Sequence, residues 1–144
     1  MARVARSSGA VGAYVWDYPG EMPLVKFFWE AAIALDADAA ALDPRPHFHA
    51  CQPGPLADLF RAASLSDIVV DAIDLPMRFR DLDDFWRAYT TPGPAVAQRY
   101  AAALDDDRKA ALRERPRVML PTGADGTISL IGRAWAVRAT KGAG

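Results

Sequence analysis

Apolar and polar positions along the chain fall into short unbroken runs separated by longer stretches of helical period. Residues 9–16 are small or apolar throughout, and the first polar side chain after them is Asp17. An unbroken run of this length suits a strand covered on both faces, as in a parallel sheet with helices above and below. Asp17 then stands just past the strand's C-terminal end, where ligands bind in open α/β sheets. Pro19 and Gly20 punctuate a turn. A helix is predicted from Pro23, with Leu24, Phe27, Phe28, Ala31, Ala32 and Leu35 as one apolar stripe.

The Asp-, Ala- and Pro-rich residues 36–46 read as a short helix end plus a loop. A second helix follows Gly54 and Pro55, with Leu56, Leu59, Phe60 and Ala63 on its inner face. Residues 68–75 are the next strand, ended by Pro76. Asp81 is a natural N-cap, with Asp83 and Asp84 in the dipole-favoured first turn and Leu82, Phe85, Trp86 and Tyr89 facing inward. Pro92, Gly93 and Pro94 break the chain, and helices follow over 95–104 and 105–115. Asp125-Gly126 turns into a final strand over 127–138, and residues 141–144 are expected to be a loose tail. The order is strand, two helices, strand, three helices, strand. That is an α/β pattern with a helical cap, about residues 77–120, inserted between the last two strands.

Composition narrows the function. A chain of 144 residues makes one domain at most, and its net charge of -1 carries no polyanion footprint. Nucleic acid is therefore not an expected partner. No apolar run approaches a membrane span, so no membrane partner is expected either. One cysteine, Cys51, leaves no disulfide framework and fits a reducing cytoplasm. His47, His49 and Cys51 would share one side of an extended segment, as in a partial zinc site. No second cluster supplies the remaining ligands, and no metal site is assigned. Asp105, Asp106 and Asp107 open a helix, where dipole compensation accounts for them.

These residues together carry a likeness. Residues 1–9 are similar to the helix end and Arg-Pro-Gly-Gly turn before the fifth strand of class I S-adenosylmethionine-dependent methyltransferases, and residues 13–18 resemble that strand. Residues 56–65, with Leu56, Leu59, Phe60 and Leu65, resemble the helix leading into the sixth strand. Residues 128–138 look like the seventh, and residues 81–86 like an acidic-aromatic cap helix. The chain thus resembles the C-terminal half of the ubiquinone/menaquinone-biosynthesis-like, type 11 group. Ser7-Ser8, Ser64 and Pro116 depart from the family's pattern.

The resemblance implies strands five, six and seven of a Rossmann-like sheet spanning residues 1–140, the last strand running antiparallel between the other two. It implies a small-molecule methyl acceptor and S-adenosylmethionine as cofactor of the intact enzyme. The acceptor-side residues would be Trp16, Asp17, Tyr18, Trp86 and Tyr89. The family's glycine-rich cofactor loop has no counterpart here: Gly9 and Gly12 lack the third glycine and the preceding strand. No cofactor-binding residue is assigned, and the chain alone is expected to be inactive. Only eight residues precede Gly9, so the first strand is expected to leave one edge open, available for a homodimer. The alternative expectation is a stand-alone small-molecule-binding or dimerising half-domain without catalysis.

Overall fold

The computed structural model describes residues 2–20 and 22–142. It is a mixed α/β structure whose elements are β1 (Ala10–Trp16), α1 (Pro23–Leu35), α2 (Pro53–Ala62), β2 (Leu65–Phe79), α3 (Leu82–Thr90), α4 (Val96–Ala103), α5 (Asp106–Glu114) and β3 (Ile128–Lys141). Among the described residues the strands form one sheet in the order β1-β3-β2. β3 is antiparallel to both neighbours, so β1 and β2 run parallel to each other with β3 between them. Helices α3, α4 and α5 occupy the connection from β2 to β3, as the pattern predicts.

Local chemistry explains most boundaries. The Asp81 carboxylate accepts from the Asp84 amide and the Asp105 carboxylate from the Arg108 amide, both at 2.8 Å, which caps α3 and α5. Ser64 closes α2 with φ 57, the left-handed value glycine adopts more cheaply. Pro116 lies just beyond α5 in a 3-10 turn, Arg115–Val118, so it breaks no helical hydrogen bond inside α5.

Five expectations need correction, the first being that Leu59, expected on the inner face of α2, is exposed. β2 does not stop at Pro76 but continues to Phe79. Pro76 pairs with Ile131, at a register whose amide side faces away from β3, so the missing N–H costs no ladder bond. β3 likewise continues past 138 into the expected tail. The Lys141 amide donates to Gly9 and its ammonium to the Ala5 carbonyl, while residues 143 and 144 lie outside the described residues. The 36–46 region and the segment after it hold 3-10 turns, Ala37–Leu42, Arg45–His47 and His49–Cys51. His47 and His49 are therefore exposed while Cys51 is buried, and the three share no side. Finally, β1 is covered on one face only: Val11 is buried and packs with Ala13 and Val15, whereas Tyr14 on the opposite face is 75% exposed.

Two apolar clusters sit on opposite faces of this sheet. The larger joins α1 and the cap helices to Ile128, Leu130, Met77 and Phe79. The smaller packs Leu56 and Phe60 of α2 on Val11, Leu65, Val137 and Ala139. Phe28 is the hub of the larger cluster, with ring centroids 4.6 Å from Tyr89, 5.2 Å from Trp29 and 6.1 Å from Tyr100. It is 1% exposed. Phe28→Ala is expected to cost about 3–5 kcal/mol of stability, read by urea denaturation monitored by circular dichroism.

Candidate functional site

Beyond the C-terminal end of β1 the chain folds over a cleft of about 310 Å3. Three segments wall it. The β1–α1 loop contributes Tyr18, the 3-10 region contributes Phe48, and the start of α4 contributes Val96 and Gln98. Trp29 and Tyr89 close it from α1 and α3. Tyr18 and Phe48 stack at 4.6 Å between centroids with 22° between planes, making a flat aromatic wall.

Asp17 sits beneath this wall and does not project into the cleft. It is 3% exposed, and its carboxylate accepts from the Gly20 amide at 3.2 Å and from the Gln52 side-chain amide. A Cβ on Gly20 would lie 2.7 Å from that carboxylate, so the turn requires glycine there. Asp17 thus ties the loop bearing Tyr18 to the start of α2. Burial, reinforced by the Asp17 carboxylate, pushes the neighbouring Cys51 thiol up, which makes it a poor nucleophile at neutral pH.

Tyr89 is both core and wall. It is 5% exposed, and its hydroxyl donates to the Leu24 carbonyl at 2.8 Å. It also borders a second cavity of about 530 Å3, lined by Trp86, Thr91, Gln98, Arg99 and Lys109. Gln98 stands between the two cavities. Its oxygen accepts from the Ala95 amide at 3.2 Å and its amide donates to the Ala88 carbonyl at 3.1 Å. The Lys109 ammonium lies 4.0 Å from the Asp106 carboxylate at the rim.

Of the five acceptor-side residues expected from sequence, Tyr18 and Tyr89 line the cleft, and Tyr89 and Trp86 line the second cavity. Trp16 lines neither. It lies half-buried on the sheet, 3.7 Å from where a Gly132 Cβ would stand. Sequence reasoning missed Phe48, Trp29 and Gln98. Phe48 lies between the two histidines weighed as metal ligands, and the aromatic is the member of that run that lines a cavity. No group of His, Cys, Asp or Glu among the described residues is arranged to hold a metal.

Among the described residues, the groups that S-adenosylmethionine calls for are not seen assembled. Its ribose hydroxyls call for an available carboxylate beyond a strand and its methionyl end for a glycine-rich turn. The two buried carboxylates, Asp17 and Asp43, are occupied, Asp43 by the Arg45 amide at 3.0 Å and by its guanidinium. Gly12 lies within β1 and in no strand-to-helix turn. No family model matches the chain, and no curated protein matches it in sequence. No described helix is long and apolar enough to cross a membrane.

Burial pushes the Tyr89 hydroxyl pKa far above the ordinary tyrosine value of 10.0. The unfolded chain sheds this proton above that pH while the folded chain keeps it, so stability falls as pH rises through the alkaline range. Tyr89→Phe is expected to make that fall shallower in denaturation curves measured between neutral and strongly alkaline pH. At neutral pH the same change costs about 1 kcal/mol through the lost bond to Leu24.

Proposed function

We propose that this chain forms the acceptor-side portion of a class I S-adenosylmethionine-dependent methyltransferase, with β1, β2 and β3 as its fifth, sixth and seventh strands. One observation carries the reading: the last strand runs antiparallel between two strands that are parallel to each other. The cleft supports it by position, since it opens beyond the C-terminal end of β1. Its volume and its Tyr18–Phe48 wall suit a flat, largely apolar small molecule as methyl acceptor. The chain's own contribution is to hold that acceptor and exclude water around it. Cofactor binding belongs to residues elsewhere in the whole enzyme. In this reading the setting is the cytoplasm, where a lone reduced cysteine such as Cys51 is ordinary.

A second reading is a stand-alone small-molecule-binding or dimerising half-domain. The unbroken outer edge of β1, with no charge and no proline, favours its dimerising form.

Titration with 1-naphthol, followed by the fluorescence of the chain's four tryptophans, of which Trp29 lines the cleft, tests it. Saturable quenching is expected, weakened about two- to tenfold in Phe48→Ala, the span an aromatic pair contributes. Absence of quenching defeats the acceptor cleft in both readings. Calorimetric titration with S-adenosylmethionine is expected to give no binding heat. Binding of the cofactor to the purified chain overturns its assignment to residues elsewhere.

A further inference from the structure

We propose that β1 is the pairing edge for a second copy of this chain, joined antiparallel across a two-fold axis at Gly12 into one six-stranded sheet. The proposal rests on the second reading above, the dimerising half-domain, since in the first reading the outer edge of β1 belongs to a neighbouring strand of the same enzyme.

The two edges of the sheet are built differently. Along β1 the Asp17 amide donates to the Arg133 carbonyl and the Lys141 amide to the Gly9 carbonyl, both at 2.9 Å. In an antiparallel ladder the bonding direction alternates with each residue. The odd-numbered residues of β1 therefore bond β3, and Ala10, Gly12 and Tyr14 turn amide and carbonyl outward. By the same alternation the even-numbered residues of β2 face out, and Pro76 is one of them, so that edge lacks a donor. β2 also carries a register shift between Ser66 and Val69, a left-handed Asp67 at φ 52, and exposed Asp71 and Asp74. Each is a device that discourages a further strand. β1 has none of them. It carries no charge and no proline, and it pairs with β3 without a break from Ala10 to Trp16. No hydrogen bond among the described residues reaches the outward groups of Ala10, Gly12 or Tyr14.

Gly12 adds an independent observation. A Cβ there would meet only the Val137 carbonyl, at an ordinary 3.6 Å, and its φ needs no glycine. Nothing among the described residues calls for glycine at this position. Glycine inside a strand marks a bulge or the close approach of a ligand or another backbone, and no bulge is present. Tyr14, two residues on and on the same face, is 75% exposed.

A two-fold axis at Gly12 sets Gly12 against the partner's Gly12 and Ala10 against the partner's Tyr14. All the outward amides and carbonyls of these three residues then find partners. Each Tyr14 ring leans diagonally over the bare backbone of the partner's Gly12, an aromatic-over-glycine arrangement that protects a weak strand. One seven-residue edge buries less than about 1,200 Å2 in total, so the association is concentration-dependent.

Sedimentation of the full chain over a concentration series is expected to show a monomer–dimer equilibrium. Tyr14→Lys is expected to shift it to monomer with unchanged circular dichroism and melting temperature. Cysteines placed in a Cys51→Ala background read the register. Two copies of residue 12 lie about 5.5 Å apart between Cα atoms in a hydrogen-bonded pair, within disulfide reach. Two copies of residue 10 lie about 14 Å apart. Gly12→Cys is therefore expected to cross-link quickly and Ala10→Cys not at all. A monomer at millimolar concentration overturns the proposal, as does a dimer indifferent to Tyr14→Lys. Faster cross-linking of Ile73→Cys, on the exposed face of β2, also overturns it by showing face-to-face association.

Discussion

Every ladder bond of the sheet has β3 as one of its partners, and this strand also carries both apolar clusters. Its side chains alternate between faces, yet the covered face changes along its length. Ile128 and Leu130 point into the cluster under the cap helices, and Val137 and Ala139 into the cluster under α2. The changeover runs through small residues. A Cβ on Gly132 would lie 2.9 Å from the sulfur of Met77 on the neighbouring β2, so the changeover is packed closely against that side chain. Cap and α2 therefore never touch the same face of β3, and each half of the molecule is anchored to the other through one backbone.

Much of this arrangement was legible in the chain. Asp81 and Asp105 announce their helices because a carboxylate at an N-cap satisfies amides that nothing else reaches. Ser64 sits where a helix needs a left-handed closing residue, and it adopts that conformation. The central place of the last strand followed from resemblance alone, since periodicity cannot rank strands in a sheet. Pro76 misled because a proline ends a strand only when its amide is needed in the ladder, and register is a tertiary property. Trp29 was missed because it lies off the stripe traced through α1, while cap helices bury a second flank of that helix.

The cleft was legible only in fragments. Tyr18 and Tyr89 were marked as an aromatic at a strand end and one on a helix, and 71 positions of sequence separate them. Phe48 joins them through two 3-10 turns whose geometry depends on Pro44 and Pro46, which no periodicity describes. The structure adds that Tyr89 and Gln98 are walls of two cavities at once. A ligand that displaces either side chain in one cavity alters the volume of the other, so the two spaces are mechanically coupled.

The position of β3 has a consequence for synthesis. Its Lys141 ammonium meets the Ala5 carbonyl 136 positions away, so the sheet joins opposite ends of the described chain. A ribosome delivers β1 and β2 long before the strand that separates them. Until β3 emerges, β1 and β2 lack the strand that joins them, and α2 and the cap helices lack the strand on which both apolar clusters close. Between β1 and β3 the nascent chain therefore holds helices around strand edges that β3 has yet to cover, a state that invites chaperone capture. Vectorial synthesis leaves the middle of this sheet until last.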